Sequence, residues 1–126
     1  KKLKIILIED DVILSRVIGE ELGEAGFDVV FAFEGSEGLI LSESQKPDLV
    51  LLDLMLPGMN GLDILKKFKK DPSVKNIPII ILTMLGNESD IKKGLELGAE
   101  DYIVKSQNAI GEIVDKVKDF TVKKNI

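Results

Sequence analysis

The chain has 126 residues, 44% of them hydrophobic and 31% charged, with a formal charge of −5; that is the make-up of one soluble folded domain over residues 1–126, and it argues against the domain gripping DNA by itself. Cysteine and histidine are both absent, which excludes disulfides, thiolate or imidazole metal sites and histidine-dependent triads, leaving oxygen ligands for Mg²⁺, Mn²⁺ or Ca²⁺. No stretch approaches the ~20 apolar residues of a membrane span and no signal-peptide pattern opens the chain, so a reducing, cytoplasmic setting is expected.

Ile5 to Ile8 reads as a first strand, followed by Glu9-Asp10-Asp11. Leu14, Ile18 and Leu22 then recur every four residues, one stripe of an amphipathic helix, with Gly26 as its stop. Phe27 to Ala32 is a more mixed strand that suits a sheet edge. A weak helical stretch over Ser36 to Ser44 is broken by Pro47. The third strand, Leu49 to Leu52, stops at Asp53, and a Pro- and Gly-containing loop carries the chain to a helix over Leu62 to Lys70. Ile79 to Leu82 stops at Thr83. Ser89 is the expected N-cap of a helix running to Leu97, with Gly94 inside it at a cost of about 1 kcal/mol relative to Ala. Tyr102 to Val104 is the fifth strand, stopping at Lys105. Ile110 to Val122 is the last helix, with Ile110, Ile113, Val114, Val117 and Phe120 as its apolar stripe.

Strands alternating with helices give five β/α repeats. The short, continuously apolar runs read as parallel strands buried on both faces. The expected fold is α/β: a five-stranded, doubly wound parallel sheet of the flavodoxin-like (βα)5 type, in strand order 2-1-3-4-5.

In such sheets ligands bind beyond the carboxyl ends of the strands. Four strand ends therefore bring Glu9, Asp10, Asp53, Thr83 and Lys105 to one rim. In the 2-1-3-4-5 order Asp10 and Asp53 are neighbours, with Glu9 close by. Carboxylates this close cannot all ionise cheaply unless a cation relieves them. A hard divalent cation does so, and Mg²⁺ completes its coordination with water and phosphate oxygens. A single acid after a strand more often caps the following helix, and Asp11 is read that way; it is the joint placement of Asp10, Asp53, Thr83 and Lys105 that points to chemistry. Ile13 and Val17, one turn apart and off the main stripe of the first helix, read either as a partner-docking pair or as a wide core face.

With these segments in place, the chain resembles the receiver domain of two-component response regulators. The motifs are Ile5-to-Asp11, Pro47-to-Asp53, Leu56-Pro57-Gly58-Met59-Asn60-Gly61, Ile79-to-Thr83, Gly98-Ala99-Glu100-Asp101-Tyr102 and Val104-Lys105. The resemblance implies a phosphoacceptor at Asp53, phosphorylated from a phosphohistidine in a Mg²⁺-dependent reaction. It implies Glu9, Asp10, Asp53 and the main-chain carbonyl of Met55 as the metal site, for Mg²⁺ or Mn²⁺. Lys105 would pair with the phosphoryl oxygens, and Thr83 and Tyr102 would form a switch pair. The implied partners are a sensor histidine kinase or phosphotransfer protein, and an output protein or domain contacted through helix 4, strand 5 and helix 5. Self-phosphorylation and auto-dephosphorylation, without turnover of a separate substrate, are implied, as is a monomer that can dimerise on phosphorylation. Two positions depart from the pattern: Met84 follows the threonine where a small residue is usual, and Ser106 follows the lysine where a proline is usual.

Rival readings of the same fold are weaker. A haloacid-dehalogenase-type phosphatase needs a second Asp where Met55 stands. A flavin-binding relative needs a hydroxyl- and glycine-rich loop where Glu9-Asp10-Asp11 would repel phosphate. The remaining alternative is a protein-interaction module of this fold that works without phosphorylation.

Overall fold

The computed structural model describes residues 2–56, 58–83, 88–105 and 109–126. Strands β1 (Lys4–Ile8), β2 (Asp28–Ala32), β3 (Leu49–Asp53), β4 (Ile79–Thr83) and β5 (Asp101–Val104) alternate with helices α1 (Val12–Glu24), α2 (Gly35–Gln45), α3 (Gly61–Lys70), α4 (Glu88–Glu96) and α5 (Ile110–Lys123). The strands form one sheet in the order β2-β1-β3-β4-β5 with every pairing parallel, as the sequence predicts.

Alternation along each strand splits the apolar residues into two layers. Ile5, Leu7, Leu49, Leu51, Ile80, Leu82 and Ile103 pack with Ile18, Leu22 and the α5 stripe Ile113, Val114, Val117 and Phe120. Ile6, Ile8, Val50, Leu52, Ile79 and Ile81 pack with Ile64, Leu65 and Phe68 of α3. β1, β3 and β4 are therefore covered on both faces.

β5 departs from that expectation. It lies at the edge that the 2-1-3-4-5 order gives it, but it is not buried on both faces: Asp101 and Tyr102 are exposed. A run of three apolar residues reads the same whether one face or both are covered, because burial on the second face depends on what the next element covers. Two details of α4 also differ. It begins at Glu88, so Ser89 lies inside its first turn and does not cap it. Gly94 is a packing residue: a Cβ there would fall 2.3 Å from Cδ1 of Ile81. Its missing side chain lets α4 lie close on β4, which offsets the helix-propensity cost.

At the other end of the sheet, Gly26 adopts φ +101° just beyond α1, the conformation that ends the helix and turns the chain into β2.

Candidate functional site

Each of the rim residues sits where its strand stops. Glu9 follows β1, Asp53 is the last residue of β3, Thr83 the last of β4, and Lys105 follows β5. By strand alternation Glu9, Asp53 and Lys105 continue the rows of Leu7, Leu51 and Ile103, which belong to the α1–α5 layer. Thr83 continues the row of Ile79 and Ile81, which belongs to the opposite layer. The same rim thus presents three charged groups from one alternation phase and a hydroxyl from the other.

The charges meet. Lys105 Nζ donates to Glu9 Oε1 at 2.8 Å and to Asp53 Oδ2 at 3.2 Å. The other oxygens are also held: Asp53 Oδ1 accepts from the Met55 N–H at 2.9 Å, and Glu9 Oε2 accepts from the Asp11 N–H at 3.2 Å. Glu9 and Asp53 are almost wholly buried, at 1% exposure each. Asp10 is exposed, yet Glu9, Asp10 and Asp53 each place a carboxylate oxygen within 4.8 Å of the others. Asp11 does cap α1, its Oδ1 accepting from the Leu14 N–H at 3.0 Å.

The electrostatics follow from crowding. Burial, and then the neighbouring Asp53 carboxylate, raise the Glu9 pKa above its ordinary value; Lys105 and the Asp11 N–H oppose the shift without cancelling it. For Lys105 burial is the largest influence and acts to lower the pKa, but Glu9 and Asp53 together outweigh it and the net shift is upward. The ammonium is held in its charged form and two carboxylates share it.

This donor set fits a hard divalent cation. Three carboxylates converge from two adjacent strands, no nitrogen or sulfur ligand competes, and one of the acids faces solvent where water can complete a coordination shell. Lys105 offsets only part of the acidic charge, so a second positive charge is electrostatically welcome.

Thr83 is fully buried and Tyr102 is 42% exposed. Tyr102 pairs in register with Ile81, and Val104 with Thr83, so both members of the expected switch pair belong to one alternation phase on adjacent strands. Met84 and Ser106 lie outside the described residues. The contact between Lys105 and Glu9 went unread in the sequence: 96 residues separate them, and neither segment signals the other. Ile13 is 78% exposed and Val17 39%, which favours an open surface over a wide core face for that pair.

Comparisons with known proteins bear on the fold and the family. The family model described as "Response regulator receiver domain" matches residues 5–118. A probable transcriptional regulator, ycf27 of Cyanophora paradoxa, is 39% identical over 104 residues, covering 82% of this chain and 42% of that protein. The crystal structure of a phosphorylated cyanobacterial phytochrome response regulator, RcpA, has a TM-score of 0.78 at 32% identity, covering 96% of this chain and 92% of that one. The Mn²⁺-bound form of the response regulator Rcp1 has a TM-score of 0.79 at 29% identity, covering 94% and 93%. The chain spans about half or less of the length of the curated relatives it matches, 40% to 50%. With this fold, this rim and a family match over most of its residues, the chain belongs to the response regulator receiver domain family of two-component signalling.

Proposed function

We propose that residues 1–126 act as one cytoplasmic receiver unit that takes a phosphoryl group onto Asp53 from a phosphohistidine of a sensor kinase or phosphotransfer protein. The observation that carries this reading is Asp53 itself: a buried carboxylate at the strand terminus, with one oxygen on the Met55 N–H and the other on the Lys105 ammonium.

An Asp53 oxygen attacks phosphorus in line as the phosphorus–nitrogen bond breaks; the electron pair leaves with the imidazole. Lys105, released from Asp53 Oδ2, moves to the transferred oxygens, so much of the protein's contribution is positioning and electrostatic stabilisation. Glu9, Asp10, Asp53 and the Met55 carbonyl would hold Mg²⁺, or Mn²⁺ as in the Rcp1 relative, and the bound cation would offset charge on the phosphoryl oxygens. The product, an aspartyl phosphate, adds roughly −1.5 to −2 charges by analogy with other phosphorylated side chains.

Thr83 supplies the hydroxyl that hydrogen-bonds the new oxygens. Tyr102, half-exposed in the same alternation phase one step back along β5, follows into the space vacated. The face of α4, β5 and α5 then shifts its population between two states and reads out to an output domain or protein. Later attack by water returns Asp53 to the free carboxylate.

Incubation with acetyl phosphate and Mg²⁺, read by intact mass, tests the assignment. The wild type gains one hydroxylamine-labile phosphoryl group and Asp53→Asn gains none. Equal labelling of that variant would overturn Asp53 as the acceptor and leave the phosphorylation-independent interaction module as the reading.

A further inference from the structure

On the far side of the sheet from β5, β2 is the other edge strand, and α1 crosses it with two small residues one turn apart, Ser15 and Gly19, both buried. The Phe31 ring fills the place at Gly19: a Cβ there would fall 2.3 Å from its Cζ. At Ser15 there is a cleft of about 160 Å³ instead, lined by Val12, Ser15, Arg16, Phe31 and Phe33. The Phe31 and Phe33 rings are stacked, with centroids 6.5 Å apart and planes within 6°. Both rings are partly open to solvent, at 37% and 40%.

Two polar groups border this apolar slot, Ser15 buried and Arg16 exposed, and neither has a protein partner among the described residues. Ser15 Oγ is buried with no hydrogen-bond partner among the described residues, which costs free energy in a folded protein. Arg16 is the only arginine in the chain and forms no ion pair among the described residues. Guanidinium groups pair best with planar carboxylates. The volume is too small for a drug-sized ligand and close to the roughly 150 Å³ that accommodates one benzene ring.

We propose that the α1–β2 cleft is a second binding site, for a single aromatic ring bearing a carboxylate. The ring adds to the Phe31–Phe33 stack, the carboxylate takes Arg16, and the Ser15 hydroxyl gains its missing partner as the half-exposed Phe33 ring gives way. Two sources share that chemistry, a free aromatic acid and a peptide ending in phenylalanine. The site is independent of phosphorylation at Asp53, although α1 is also the helix whose cap, Asp11, adjoins the acidic cluster.

The test is an amide-resolved NMR titration of the 126-residue chain with phenylacetate, phenylacetamide and N-acetyl-Gly-Gly-Phe with a free carboxyl end. Saturable shifts are expected at Ser15, Arg16, Phe31 and Phe33 with a Kd on the order of 1 mM for the better acid, and binding of the amide about tenfold weaker. Arg16→Gln should bring the acid down to the level of the amide, and Phe33→Ala should weaken both. Tighter binding of phenylacetate identifies a free acid as the ligand; tighter binding of the peptide identifies a chain terminus. Absence of saturation up to roughly 50 mM for both acids, equal binding of acid and amide, or an unchanged affinity in both variants overturns the proposal. Acetyl phosphate labelling of the same variants keeps this outcome separate from that at Asp53.

Discussion

Lys105 Nζ lies closer to Glu9 than to Asp53, 2.8 Å against 3.2 Å. In this state the ammonium bridges two buried carboxylates, with the shorter bond to Glu9 and the longer to the proposed phosphoacceptor. If Lys105 moves to a phosphoryl group as proposed, Glu9 would be left short of a counter-charge, and metal binding at the acidic cluster would be tied to occupancy at Asp53.

Replacing Lys105 with Met should leave Glu9 and Asp53 facing each other without a cation. Removing one partner of a buried ion pair typically costs about 3–5 kcal/mol. A loss near the lower end is expected for Lys105→Met in EDTA, since its side chain retains 11% exposure. Urea unfolding monitored by circular dichroism would measure it, and Mg²⁺ should restore part of the loss. A variant as stable as the wild type in EDTA would contradict the bridging role.

The raised pKa of Glu9 sets a pH dependence with an unusual sign. A carboxyl whose folded pKa lies above its unfolded value of about 4.5 is protonated more readily in the folded state. The folded state then binds more protons than the unfolded one between the two values, so this group's contribution falls as pH rises through the folded pKa. Metal-free protein should gain stability from Glu9 as pH drops from neutrality toward 4.5, and Glu9→Gln should remove that part of the slope. Unfolding midpoints of the two proteins across this range, in EDTA, would give the difference; parallel curves would count against it.

Two glycines separate hard from soft packing. At Gly61 a Cβ would lie 2.4 Å from Leu54 Cα and 2.9 Å from the Asp53 carbonyl oxygen, both backbone atoms. Gly61→Ala should cost about 2–4 kcal/mol and slow labelling by acetyl phosphate, because the loop after Asp53 must move. At Gly94 the clash is with the tip of the Ile81 side chain, which can change rotamer, and alanine recovers about 1 kcal/mol of helix propensity. Gly94→Ala should therefore stay within about 1 kcal/mol of the wild type. Chemical denaturation of both would rank them.

Tyr102 is the only tyrosine and there is no tryptophan, so emission from the phenol reports one site. Acetyl phosphate with Mg²⁺ should reduce its quenching by acrylamide as the ring leaves solvent. Thr83→Ala should still accept phosphate and show a much smaller change. Full protection of Tyr102 in that variant would detach the ring from the hydroxyl.

Much of this protein is legible along the chain. Short apolar runs closed by Glu9, Asp53, Thr83 and Lys105 define the strands and their order of use, because a strand buried on both faces has no place for a charge until it leaves the sheet. Parallel connections then put those ends on one rim, so the candidate site follows from local pattern plus handedness alone. What only the tertiary structure decided is which groups pair and which faces are covered. Lys105 takes Glu9 as its shorter bond, Gly94 serves packing against Ile81, Asp101 and Tyr102 of β5 stay exposed, and Ser15 is buried beside the cleft that Phe31 and Phe33 line. Each depends on a contact between segments far apart in sequence, where side-chain volume and mutual desolvation, not local periodicity, determine the outcome.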